Sequence, residues 1–166
     1  MSTPTPMLIE QVESLHNNVS WANIEQACEF LAKKLKNLPL KTIIGVSRGG
    51  AIPAVMLSHT LKVPNIFYVQ AKTYTEENKA SFVGTSLVID KYMLEDIDFY
   101  NSPHTLIVDD IYDTGATYNA LYKFFPYALY SVIATKDVEA CKRHDIFYAG
   151  IFANTWVNFP WEKSHV

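Results

Sequence analysis

The stretch LIVDDIYDTGAT, residues 106–117, decides how the chain is read. Its opening extends an apolar, β-branched run from Thr105, which is the composition of a strand buried on both faces. The run stops at Asp109 and Asp110, and Asp113-Thr114-Gly115-Ala116-Thr117 then leads into YNALYKFF, residues 118–125, a helical segment bounded by Pro126. Backbone N–H groups and two hydroxyls at that helix start favour a phosphate, because unpaired donors and the helix dipole both attract an anion. The two acids just before it repel a bare phosphate but suit ribose hydroxyls and a Mg2+ ion bridging to them. An acidic strand end or a capping turn alone is commonplace; together they point to a phosphorylated sugar.

The same strand, turn, helix order occurs upstream. TIIGVS, residues 42–47, is a short β-branched run, Arg48-Gly49-Gly50 is a glycine turn, and AIPAVMLSHTLK, residues 51–62, is helical with Pro53 in its first turn. Ligands of open α/β sheets collect beyond the carboxyl ends of strands, so both turns are expected to face one cleft. Arg48 and glycine-freed N–H groups suit a diphosphate.

Further out, Ser20 is expected to cap a helix through residues 21–37, where Ile24, Cys28, Leu31, Ala32 and Leu35 recur at helical spacing. NIFYVQAK (65–72), TSLVIDKY (85–92), YALYSVIATK (127–136) and DIFYAGIFA (145–153) supply strand candidates. Residues 73–86 look like a connection or hairpin, and the aromatic, proline-broken 154–166 like a flap rather than a regular element. The expected class is α/β: a mostly parallel twisted sheet flanked by helices, in one domain spanning 1–166. Within it, 1–40 is an amino-terminal extension and helix, 41–136 the core, and 137–166 a base-binding hood or tail.

Composition narrows the function. With 166 residues and 49% hydrophobic content, the chain can bury a sizeable core. A formal charge of −3 supplies no broad basic field, which argues against nucleic acid as a partner. No stretch approaches a membrane span, and residues 1–18 lack an export signal, so a cytoplasmic location is expected. Cys28 and Cys141 lack ligand spacing and read as reduced apolar residues, and His59, His104 and His165 have no metal pattern. Asp137, Glu139, Lys142, Arg143 and His144 read as a solvated face.

The residues 106–117 resemble the phosphoribosyl-diphosphate signature of type I phosphoribosyltransferases. GVSRGGAIPA, residues 45–54, resembles the diphosphate loop of that family, and TWVNFPWE, residues 155–162, the purine-binding tail of its bacterial xanthine-guanine members. The resemblance runs from about Lys41 to Glu162, leaving the amino-terminal extension outside. It implies that Ser47, Arg48 and Gly49 hold the diphosphate, with Arg48 serving the leaving group. It implies that Asp109 and Asp110 meet ribose and Mg2+, Asp110 being the direct ligand, while Asp113, Thr114, Gly115, Ala116 and Thr117 hold the 5′-phosphate. By the same resemblance Asp113 faces N7 of a purine as the catalytic group, Lys136 recognises O6, Trp156 stacks on the base, and the main chain of Val157 meets it. Trp161 is expected to pack.

Two positions depart from the family: Ala116 stands where many relatives have glycine, and Ala80 where the bacterial enzymes have a basic residue, with Lys79 or Lys72 as substitutes. The implied activity is transfer of a phosphoribosyl group to a 6-oxopurine (xanthine, guanine or hypoxanthine) by a homo-oligomer, dimer or tetramer. The alternatives are the same transfer to another base, or a regulator that senses phosphoribosyl diphosphate without turnover. A merely structural domain fits least, because neither the acids nor the glycine turns are eroded.

Overall fold

The computed structural model describes residues 7–8, 16–75, 82–152 and 156–162. Lys79, Ala80 and His165 lie outside them, so the expectations at Lys79 and Ala80 have no structural counterpart.

The described elements are β1 (Met7–Leu8), β2 (His16–Asn18), α1 (Trp21–Leu35), β3 (Thr42–Ser47), α2 (Ala51–Leu61), β4 (Asn65–Thr75), β5 (Phe82–Val88), α3 (Lys91–Glu95), α4 (Ile97–Tyr100), β6 (Thr105–Tyr112), α5 (Ala116–Tyr122), β7 (Leu129–Thr135), α6 (Val138–Arg143), β8 (Ile146–Ile151) and β9 (Trp156–Asn158), followed by a 3-10 turn, Pro160–Glu162. Seven strands form one sheet in the order β1-β8-β7-β6-β3-β4-β5. All neighbours run parallel except the β4–β5 hairpin. This is the expected α/β class.

The central strands are buried because helices cover both faces. On one side α1 and α2 bury Ile24, Leu31, Leu35, Ala54 and Leu57 against Ile43, Leu106 and Val108. On the other, Met93, Tyr118, Leu121 and Cys141 of α3, α5 and α6 pack with Ile44, Ile107 and Val132. The continuous apolar runs of β3, β6 and β7 are what a sheet covered on both faces requires. α1 begins as its sequence indicates: Ser20 Oγ accepts from Asn23 N–H at 3.1 Å, and Asn23 Oδ1 accepts from Ser20 N–H at 3.0 Å.

Strand pairing opens the cleft. The β3–β6 ladder runs from Thr42↔Thr105 to Gly45↔Val108 and stops there. β3 continues against β4 to Ser47↔Gln70, while β6 continues against β7 to Tyr112↔Thr135. The carboxyl ends of β3 and β6 thus part at the point where the strand order reverses, the place where an open α/β sheet presents a crevice.

Three local expectations are revised. The helix after the phosphate-type turn ends at Tyr122 rather than running to Phe125. The strand expected over 85–92 ends at Val88; Lys91 and Tyr92 instead open α3, capped by Asp90 Oδ1 accepting from Tyr92 N–H at 2.8 Å, and the unassigned residues that follow complete α3 and form α4. The tail is more regular than its proline and aromatic content suggests: β9 pairs in parallel with β2, joining His16 to Trp156 and Asn18 to Asn158. Residues 16–19 therefore pack with the tail, Val19, Val157 and Phe159 being buried in one cluster with the apolar face of α1. Trp161 packs as expected, stacked on Phe159 at 4.9 Å and 6.0 Å from Trp21.

Candidate active site

A cavity of about 600 Å³ occupies the β3–β6 opening. Its wall contains Ser47, Arg48 and Gly49 from the first turn, Asp109 and Asp110 from the end of β6, and Asp113, Thr114, Gly115, Ala116 and Thr117 from the second turn, with Trp156 at its edge. Residues separated by some sixty positions in sequence thus share one wall.

The first turn lies against the end of β6. A Cβ at Gly49 would overlap the Asp110 carboxylate, and one at Gly50 would overlap the carbonyl oxygen of Val108. Only glycine lets the first turn lie this close to the acids at the end of β6. The peptide linking Ser47 to Arg48 is cis, and the Arg48 side chain is exposed at the cavity. Gly115 has φ +84°, the left-handed region that favours glycine, and a Cβ there would strike the Tyr112 hydroxyl. This bend starts α5 and turns the backbone of residues 114–117 toward the cavity. Alanine is accommodated at position 116 as the first residue of α5.

The acids occupy an unfavourable environment. Burial holds the Asp109 carboxyl well above the ordinary carboxylate value, and the charge of Asp110 raises it further. Burial raises Asp110 as well; hydrogen bonding, including Ile111 N–H donating to Oδ1 at 2.8 Å, works against the rise, and the Glu162 carboxylate adds to it. Among the described residues neither acid has an ion-pair partner. A divalent cation between them would remove the conflict, so the donor set fits Mg2+, which takes one or two carboxylates and completes its shell with water and substrate oxygens. Among the described residues no group of three or more His, Cys, Asp or Glu forms a cage of its own.

Lys136 and Val157 do not line the cavity. Lys136 follows β7, its N–H donating to Tyr112 O at 2.9 Å, and its ammonium meets Asp113 Oδ2 at 3.1 Å. It therefore reaches the site through Asp113. The Val157 side chain is buried in the core. Val19 N–H donates to Asn158 O at 2.9 Å, so the polar groups of Asn158 face β2. Backbone groups alternate along a strand, which turns those of Val157 away from β2 and leaves them outside that ladder. Lys72 lies on β4 with an exposed side chain and is not in the wall.

Sequence reasoning missed part of the wall: Ala71, Ile107, Ile111, Tyr112, Tyr118, Leu121, Tyr130, Ser131, Val132 and Ile146 also contribute. Most are apolar and carry no chemical signature. Their signal was positional, since Ile111 and Tyr112 stand between the acids and the phosphate-type turn.

The phosphoribosyl transferase domain model matches residues 15–126, starting before α1 and so including β2. The chain is 30% identical over 145 residues to the xanthine-guanine phosphoribosyltransferase of Idiomarina loihiensis, covering 87% of this chain and 85% of the relative. It is 25% identical to that of a Ruegeria species over 99% of this chain and 94% of the relative. The crystal structure of a purine phosphoribosyltransferase from Pyrococcus horikoshii superposes with a TM-score of 0.69 at 25% identity, covering 92% of this chain and 98% of that one. These matches bring the amino-terminal segment inside the similarity, correcting its exclusion on motif grounds.

Proposed function

Because the chain belongs to the phosphoribosyl transferase domain family, we propose that it transfers the 5-phosphoribosyl group from phosphoribosyl diphosphate to a 6-oxopurine (xanthine, guanine or hypoxanthine), releasing diphosphate and a nucleoside monophosphate. The observation that carries this reading is the contact of Gly49 with Asp110, which puts a diphosphate-type turn and a ribose-phosphate turn on one wall. The relatives named for xanthine-guanine transfer support the choice of base.

The bond from C1 of the ribose to the diphosphate oxygen breaks while N9 of the purine bonds to C1. Arg48, with Ser47 and Gly49, binds the departing diphosphate and offsets its growing charge. Thr114, Gly115, Ala116 and Thr117 hold the 5′-phosphate with backbone N–H groups and hydroxyls, fixing the ribose so that C1 faces the base. Asp113 accepts the proton that N7 gives up as N9 bonds, and Lys136 donates to O6. Trp156 stacks on the base, with the main chain of Val157 at its edge. Asp109 and Asp110 would hold the ribose hydroxyls and Mg2+, with Asp110 as the direct ligand. Bound there, Mg2+ supplies charge stabilisation for the diphosphate oxygens.

The reading includes a homo-oligomer, dimer or tetramer, in the cytoplasm, and two observations support it. Tyr92, Phe99 and Tyr127 leave exposed aromatic surface that a second copy could cover. Cys28 and Cys141 are free and buried. Among the described residues no helix is long and apolar enough to cross a membrane.

The test is to incubate the purified protein with phosphoribosyl diphosphate, Mg2+ and each purine or pyrimidine base separately, and to measure nucleoside monophosphate and diphosphate. Turnover with a 6-oxopurine is expected. Turnover only with another base would reassign the substrate, and saturable phosphoribosyl diphosphate binding without turnover would make the protein a sensor.

A further inference from the structure

Trp156 stands at the cavity edge with most of its surface exposed, 63%. An indole so little packed has freedom to tilt, and stacking on a base requires a fixed plane. What fixes it is visible in the hood. On a strand, residues two apart share a face, so Trp156 and Asn158 project together while Val157 turns into the core. Trp156 Nε1 donates to Asn158 Oδ1 at 2.9 Å. An indole N–H can only donate, which commits the Asn158 amide oxygen to it and leaves the amide nitrogen facing the other way. That nitrogen donates to Asn18 Oδ1 at 3.1 Å, across the β2–β9 ladder, where Asn18 and Asn158 are register partners.

We infer that Asn158 is a positioning residue for base recognition: with Asn18 behind it, it locks the Trp156 indole in the orientation that receives the purine. This rests on the reading of Trp156 as the stacking residue. The Asn158 amide serves both neighbours at once, its oxygen accepting from the indole and its nitrogen donating to Asn18, whereas an apolar side chain at 158 would serve neither. The strand pairing itself is made by backbone groups, including Val19 N–H to Asn158 O at 2.9 Å, and survives truncation of the Asn158 side chain. The side-chain relay therefore has a consequence separable from holding the hood in place.

The experiment measures KM for the 6-oxopurine at saturating phosphoribosyl diphosphate, and KM for phosphoribosyl diphosphate at saturating base, in the full chain and in Trp156→Ala, Trp156→Phe, Asn158→Ala and the Trp156→Phe/Asn158→Ala double variant. Trp156→Phe keeps an aromatic face but removes the N–H donor together with the five-membered ring that carries it, and it leaves the Asn158–Asn18 contact in place. Asn158→Ala should raise KM for the base roughly three- to tenfold, the range one net hydrogen bond covers, and Trp156→Phe at least as much because it also loses ring area, with KM for phosphoribosyl diphosphate held within about twofold in both. The double variant should be no worse than the more affected single one, because both remove the same bond. Base KM unchanged in both single variants while Trp156→Ala raises it would overturn the inference and leave the stacking role standing, as would additive effects in the double variant. An unchanged base KM in Trp156→Ala would overturn the stacking role and this inference together.

Discussion

The ammonium of Lys136 lies 3.1 Å from the carboxylate of Asp113, so the two groups assigned to O6 and N7 of the base hold each other. Lys136 is the more enclosed partner, its side chain 16% exposed against 55% for Asp113. A 6-oxopurine presents O6 and N7 side by side, and the pair offers a donor beside an acceptor. Asp113→Asn should lower kcat by about 10²-fold or more with KM for phosphoribosyl diphosphate nearly unchanged, because an amide keeps the shape but cannot take the proton. Steady-state kinetics with both substrates varied check it; unchanged kcat removes Asp113 from proton transfer.

Arg48 is exposed at the cavity, on the turn that touches Asp110 through Gly49. Arg48→Ala should weaken phosphoribosyl diphosphate binding and lower turnover together, each by roughly tenfold or more, since a charged hydrogen bond to the leaving group is lost in ground and transition states. Arg48→Lys should recover part of the binding and less of the turnover, as an ammonium lacks the forked geometry. Calorimetric binding beside initial rates separates the two effects.

Gly49→Ala places a methyl group on the Asp110 carboxylate. The turn must shift or the acid must rotate, and either change disrupts the shared wall. Activity should fall at least tenfold, an effect of order 1.4 kcal/mol or more on transition-state binding, while thermal stability changes little because the overlap is with one side chain and not with backbone. Differential scanning calorimetry alongside initial rates tests the separation; loss of both would mean that the glycine serves folding.

Asp109 and Asp110 give a pH prediction that does not need turnover. Their folded pKa values are raised above the ordinary 3.8, so protons bind more tightly to the folded protein than to the unfolded chain. Their contribution to stability is full below 3.8 and is lost as pH rises through the raised values. Without divalent cations, Asp109→Asn should therefore raise Tm at neutral pH by about 3 °C and do little at acid pH. Mg2+ should raise Tm of the unsubstituted protein at neutral pH and have less effect on Asp109→Asn. A lower Tm in the cation-free variant would show that the ionised Asp109 stabilises the fold.

Burial in the α1 core pushes the Cys28 thiol up from 9.0 to about 12. The native protein should leave Cys28 unmodified by a thiol reagent at pH 8, whereas the denatured chain should react at once. Stability linked to this thiol is full below 9.0 and is lost as pH rises toward about 12. Rapid native labelling would indicate that α1 detaches from the sheet on the assay timescale.

The parts legible in the sequence were those with local chemistry. Apolar β-branched runs gave β3, β6 and β7, and glycine or acid clusters at their ends gave the two turns, because these signals lie within a few adjacent residues. The contact between Gly49 and Asp110 depends on where β3 and β6 stop pairing, which no local pattern encodes. The tail was misread as irregular because three residues around Val157 form a strand only when residues 16–18 lie beside them. Ile111 and Tyr130 were missed as wall residues since an apolar side chain looks the same whether it packs inward or faces a ligand. Asn158 was missed for a different reason: an amide two places after a tryptophan has no meaning until both are known to share one face.

The β2–β9 pairing has a consequence for how the molecule is put together. Asn18 and Asn158 are 140 positions apart, so closing that contact confines a far longer loop than any step that joins β3 to β6. Apart from Trp156, the cavity wall is drawn from residues 46–146, whereas the β2–β9 pairing waits for the strand at 156–158. During synthesis the growing chain therefore gains both turns of the cleft before it gains Trp156, and a nascent chain stalled short of residue 156 would carry the turns without the β2–β9 pair above them.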